Sequence, residues 1–232
     1  MRAWGWSLLA AVLPWTGPAD SPSMPLRPVE STCAVALDVS VEAPMPWGAV
    51  EWRLFTREVD RVWRPYGVTI CWNVGGDTCE GFAVRLRVFV ADVLPPAAST
   101  SAPPVVGRIL FYGDGPGTEI FLSIDGGRYL VTRATLGARK VGDWPDAIAE
   151  HLLPAVMGRA LAHELGHFLL GSKRHSRAGL MAAQFRPDEV TFGGNSEFQL
   201  SGDDASAVRM QCLAGTLNAR VGASDGAPSF AQ

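Results

Sequence analysis

Three of the chain's four histidines fall in one run, His163-Glu164-Leu165-Gly166-His167-Phe168-Leu169-Leu170-Gly171-Ser172-Lys173-Arg174-His175. No other stretch constrains the fold as strongly. On an α-helix, residues i and i+4 stand one turn apart on the same face, so His163 and His167 aim their imidazoles at one point. Glu164 lies one position round the helix, too offset to bind a metal shared by the two rings but close enough to hold a water bound to it. The flanking runs Pro154 to Ala162 and Phe168 to Leu170 are largely apolar, which sets this helix in a core or along a cleft. Buried imidazoles need partners. A metal ion is one; hydrogen bonds within an ordinary core are the other. Gly171 is placed to stop the helix in a left-handed conformation, after which the chain can turn back and bring His175 to the same point.

A chain of 232 residues, 47% of them apolar, supports one domain with a substantial core, and no internal repeat divides it. The N-terminus reads as an export signal spanning 1–19. Arg2 is followed by a short apolar stretch from Trp4 to Leu13, then by Pro14 and the small residues Gly17 and Ala19. That stretch is too short to remain as a membrane span. Cleavage after Ala19 removes one basic residue of 20 and leaves 23 acidic ones, a net charge of −4, which gives no reason to expect nucleic acid or an anionic membrane as partner. Four cysteines, Cys33, Cys71, Cys79 and Cys212, are an even number suited to two disulfides in an exported chain. Three pairings are open. Cys71 and Cys79 flank a turn-rich stretch and could close a small loop, which would leave Cys33 for Cys212.

The prolines of 20–32 mark an extended lead-in, and structure is expected over 33–213. Ala34–Val41, Tyr66–Trp72, Phe82–Val93, Val105–Tyr112 and Glu119–Ile124 read as strands, the third alternating almost strictly. Gly113 to Gly117 reads as the turn between the last two, and Gly126-Gly127 as another turn. Trp47–Arg64 reads as an amphipathic helix. Asp143-Trp144-Pro145 looks like the cap of a further helix that Pro154 interrupts or restarts before the histidines. Ser201, with Asp204 three residues on, opens a last helix running to about Leu213. Residues 95–104 are a low-complexity loop, and 214–232 are small and polar and read as a flexible tail. His151 has no partner in sequence and reads as a surface residue.

The order of the motif, His-Glu-x-x-His, a turning glycine, a third histidine and then Met181 within Gly179-Leu180-Met181, resembles the metzincin zinc metalloproteases, the group of astacins and matrixins. Leu200-Ser201 with Asp203-Asp204 is similar to the segment that opens the last matrixin helix. The resemblance spans roughly 33–213, but its specific evidence sits in 163–181. It implies an α+β, zincin-like fold. That fold is a mixed twisted sheet of about five strands with two backing helices, the second carrying the motif, and a small C-terminal subdomain ending in a helix. It implies that His163, His167 and His175 hold Zn2+, that Glu164 is general base and acid, and that Met181 forms an apolar floor below the metal. It further implies that the strand before the motif helix, matched by Glu119–Ile124, edges the cleft and pairs with an extended substrate. The expected protein is thus an exported, secreted or periplasmic, monomeric zinc endopeptidase acting on polypeptides, with no nucleic-acid or membrane partner.

One departure stands out. The family places the glycine three residues after the second histidine and the third histidine three after that, whereas here each gap holds one residue more. An extra helical residue turns the end by about 100°, so the direction of His175, not its reach, is in question. Glu189 and Glu197 are rivals for the third position, by analogy with thermolysin-like peptidases. The altered spacing also suits a metal-binding or interaction module without efficient proteolysis, although such a module has no need of Glu164. Tyr66, Tyr112 and Tyr129 all precede the motif, and none can be assigned as a transition-state stabiliser.

Overall fold

Val84, Leu86, Val88 and Val90 are buried while Arg85 and Arg87 between them are exposed, so the strictly alternating strand has one face in the core, as its period demands. The structure, a computed structural model, describes residues 33–41, 47–74, 84–94, 104–214 and 228–230. The expected export signal, the lead-in, Cys79 and nearly all of the 95–104 loop lie outside these residues. In chain order the elements are β1 (Cys33–Val41), α1 (Ala49–Trp63), β2 (Val68–Val74), β3 (Val84–Ala91), β4 (Gly107–Tyr112) and β5 (Gly115–Ser123). There follow α2 (Ile124–Arg133), the small hairpin β6 (Thr135–Leu136) and β7 (Arg139–Lys140), α3 (Asp146–Leu170), α4 (Pro187–Phe192), α5 (Gly202–Ala214) and β8 (Pro228–Phe230).

The fold is α+β with one mixed sheet. Its strand order is β2-β1-β3-β5-β4-β8. β2, β1, β3 and β5 run parallel, whereas β4 is antiparallel to β5, and β8 to β4. Parallel neighbours need a crossover, and α1 supplies the one from β1 to β2. Its buried residues Phe55, Val59, Val62 and Trp63 form a single stripe at helical spacing.

This topology corrects the expected cleft edge. Glu119–Ile124 falls in β5 and its end, and β5 is flanked by β3 and β4, so both of its backbone edges are engaged within the sheet. β4 lies beyond β5, and β8 is the outermost strand on that side. β8 is a three-residue segment of the expected tail, Pro228–Phe230, paired with β4.

Two further expectations change. Gly126-Gly127 is no turn but part of α2, whose first turn is capped by Ser123 Oγ accepting from Gly126 N–H at 3.0 Å. Side chains there would run into the Val105 carbonyl and into Leu153 and Met157, so packing rather than turning calls for the glycines. The motif helix is therefore the third helix in the chain. Pro154, expected to interrupt or restart it, lies inside one continuous helix of 25 residues. The missing N–H forfeits one hydrogen bond, yet almost every residue from Leu153 to Leu169 is buried, and that burial sustains the helix through the proline.

Past α3 a smaller subdomain closes the fold. Arg159 of α3 ties the layers together: its Nε donates to Glu58 of α1 at 3.1 Å, its guanidinium donates to the Val190 carbonyl of α4 at 2.7 Å, and it lies over the Phe198 ring. Ser201 caps α5 as expected, accepting from Asp204 N–H at 3.1 Å. Gln211 of α5 donates to the Leu170 carbonyl, filling an acceptor that the end of α3 leaves open. Cys71 and Cys212 are each disulfide-bonded. No helix among the described residues is long and apolar enough to cross a membrane.

Candidate metal centre

α3 carries His163, Glu164 and His167 with 8%, 6% and 1% of their surface exposed. A helix apolar on all sides is buried on all sides, so these polar groups are satisfied inside the protein. Each imidazole is pinned from behind. His163 Nδ1 donates to the Leu180 carbonyl at 2.7 Å, and His167 Nδ1 donates to the Ser172 carbonyl at 2.7 Å. With Nδ1 as the donor on each ring, both Nε2 atoms are bare acceptors, and they face each other at 3.1 Å. Two acceptors cannot hydrogen-bond.

The helix ends as the glycine predicts. Gly171 adopts φ +61°, its N–H donating to Phe168 O at 3.1 Å while Ser172 N–H donates to His167 O at 3.2 Å. These paired bonds are a Schellman stop, which requires the left-handed residue. One of the two extra residues is absorbed as a further helical position before Gly171, the other in the return, and His175 does come back to the site. Its ring stacks on that of His163, with centroids 5.3 Å apart and planes 13° apart, and stands nearly perpendicular to His167 at 4.8 Å. One ring nitrogen from each of the three lies within 4.8 Å of the others.

Beside His163, whose Nδ1 bonds the Leu180 carbonyl, Gly179 to Ala182 forms a tight turn closed by Ala182 N–H on Gly179 O at 3.1 Å. Met181, 1% exposed, sits in it, and a side chain at Gly166 would collide with its sulfur. Ser176 N–H donates to Met181 O at 2.7 Å, joining the turn to the segment that delivers His175.

Glu164 points towards β4. Ile109 N–H donates to its carboxylate, and Gly107 lies so close that a Cβ there would stand 2.9 Å from Glu164 Cγ. The register of β4 against β5 shifts between Ile109 and Phe111, a bulge beside the site. Burial pushes the Glu164 carboxyl up to about 8 against the opposing pull of that N–H and of Arg108. Burial likewise holds His163 down to about 3, helped by His167, and His167 down to about 4. His175 shifts in the same direction for the same reason. The imidazoles are therefore neutral near pH 7, the form that binds metal.

The donor set fits zinc. Three neutral imidazoles suit it, and a tetrahedral ion with Zn–N of about 2.0–2.1 Å holds ligand nitrogens about 3.3 Å apart, close to the spacing of the His163 and His167 Nε2 atoms. Glu189 and Glu197 do not join the group. Glu189 turns back on Arg186 N–H at 3.4 Å, and Glu197 is exposed and paired with Ser196. His151 is exposed on α3, as expected. Tyr66 accepts from Leu200 N–H, Tyr112 donates to Glu119 and Tyr129 lies under Arg133; none of these contacts involves the histidine cluster.

The carbonyls of Leu180 and Ser172, the Ile109 N–H and the space at Gly107 and Gly166 were not foreseen as parts of the site. Main-chain partners leave no mark on residue type. The two glycines were the only readable signal.

No protein-family model matches the chain, and no curated protein is similar to it. Among solved structures, archaemetzincin from Methanopyrus kandleri is similar at 14% identity, over 81% of this chain and 98% of that one, with a TM-score of 0.43.

Proposed function

We propose that this chain is an exported zinc-dependent endopeptidase of the metzincin type, with His163, His167 and His175 as metal ligands and Glu164 as proton carrier. The observation that carries the reading is the pair of bare Nε2 acceptors facing each other beside a third imidazole, with the Nδ1 of each helical histidine committed to a carbonyl. Such second partners orient metal-bound imidazoles. When bound, zinc supplies Lewis acidity, lowering the pKa of a water in its open position towards ~7 and polarising an amide carbonyl.

The chain's own residues do the rest. Glu164 takes the proton of the attacking water on its carboxylate and delivers it to the nitrogen of the leaving amine. Ile109 N–H fixes the carboxylate. β4 is the sheet strand next to Glu164, and its edge away from β5, which β8 now occupies, is the one on which an extended polypeptide would align.

Export, two disulfides among Cys33, Cys71, Cys79 and Cys212, and a monomeric state complete the proposal. It involves no nucleic-acid or membrane partner. The test is to purify the chain, measure its zinc content and follow cleavage of an unstructured protein with and without a chelator. Chelator-sensitive cleavage lost in Glu164→Ala, with zinc retained, is the expected result. Cleavage persisting in that variant would overturn the mechanism, and zinc without cleavage in the unaltered chain would leave a metal-binding module.

A further inference from the structure

β4 begins beside Glu164, at Gly107 and Ile109, and runs away from it to Tyr112. One of its edges is paired with β5. The other is paired with β8, antiparallel, with Leu110 opposite Phe230, Phe111 opposite Ser229 and Tyr112 opposite Pro228. Because β8 is antiparallel to a strand leading away from Glu164, it runs towards Glu164. An extended segment of the chain's own C-terminal region thus lies on the outer edge of the strand that flanks the candidate site, with its C-terminal end directed at the catalytic carboxylate. A polypeptide whose scissile bond lay at Glu164 would place the residues on the acyl side of that bond along the same edge, in the same direction.

We propose that β8 is an intramolecular occupant of the acyl-side substrate edge, which must be displaced before a polypeptide can pair with β4. The inference rests on the endopeptidase reading. β8 is short, and Pro228 has no N–H to contribute, so the pairing is a weak latch that an incoming chain can replace. Tethering gives such a segment an effective concentration in the millimolar range, enough to compete with a dilute substrate without sealing the site. It also covers an edge that would otherwise stand open to other chains.

The test compares the full chain with a form lacking residues 226–232. In the metal-free proteins, hydrogen exchange over residues 107–112 is expected to be slower in the full chain. Adding a synthetic peptide of residues 226–232 to the shortened form is expected to restore the protection. In the zinc-loaded proteins, shortening is expected to lower KM for an unstructured peptide by at least about threefold, with kcat unchanged, and the same synthetic peptide should inhibit competitively. Equal exchange in the two forms would overturn the pairing. Faster exchange with unchanged KM would make β8 a plain edge cover, ending this inference while the peptidase reading stands. Absence of cleavage by either form would remove the peptidase reading and this inference with it.

Discussion

Met181 lies beneath the motif helix at the one point where a side chain on residue 166 would have to stand, and Gly166 leaves that space. Replacing a helical glycine by alanine ordinarily gains about 0.5–1 kcal/mol of helix stability. Here overpacking, typically about 1–3 kcal/mol, opposes it and wins, because the collision is with a buried sulfur at 1% exposure. Gly166→Ala is therefore expected to lower unfolding free energy by about 1–2 kcal/mol in denaturant titration. In a double-mutant cycle, Met181→Ala should recover part of that loss, and strict additivity would show the two sites to be uncoupled.

Gly171 is constrained by conformation rather than by space. Its φ of +61° costs an ordinary residue about 1–2 kcal/mol, so Gly171→Ala should destabilise the fold by that amount. The same stop sets the course of the return to His175, so zinc affinity should drop as well, by tenfold or more in competition with a chelating dye. Unchanged affinity would mean that the return is held by its other contacts.

The metal-free protein has a defined dependence on pH. His163 and His167 are held to about 3 and about 4 when folded and return to 6.5 on unfolding, so the unfolded chain binds protons that the folded one refuses. Their contribution is full above 6.5 and is lost as pH falls towards those lower values. Glu164 acts oppositely. Raised from 4.5 to about 8, it contributes stability that is full below 4.5 and lost as pH rises through 8. Below pH 6.5 two histidines outweigh one glutamate; above it only the glutamate acts. Thermal unfolding of chelator-treated protein should therefore peak near pH 6.5, and the decline from there to pH 8 should vanish in Glu164→Gln. A wild-type profile that is flat over that interval would contradict the assignment.

Arg159 joins α1, α3 and α4 through Glu58 and the Val190 carbonyl, with its side chain 7% exposed. Removing one member of a fully buried pair costs about 3–5 kcal/mol, and less here, since Glu58 is 16% exposed and keeps Arg61 as a partner. Arg159→Ala is expected to cost about 2–3 kcal/mol by denaturant titration. Arg159→Lys should recover little, because one ammonium cannot serve both acceptors and lie over Phe198.

Strands β1 to β5 and helix α1 were readable from their apolar patterning, as in Val84 to Val90 or Phe55 to Val62, and α5 from its cap, Ser201 with Asp204 three residues on. The motif helix and its stop were readable from His163, His167 and Gly171. What the order of residues withheld was lateral arrangement. Nothing in Glu119–Ile124 says that β4 passes outside it, because edge position depends on which strands find partners, and both strands are comparably apolar. α2 escaped notice because two adjacent glycines signal a turn locally, whereas here they serve contacts with Leu153 and Met157 that are distant in sequence. Pro154 misled for the converse reason: a local breaker is overridden when the helix around it is buried.

The three imidazoles differ in how they are carried. His163 and His167 ride on a rigid, enclosed helix, while His175 is half-buried on a return strung between two turns. On the zinc reading, the ion has a fixed wall of two ligands and a hinged door of one. Zinc would then meet two ligands already set by the helix, and the four-residue return, not the helix that gives the motif its signature, would decide how the third is presented.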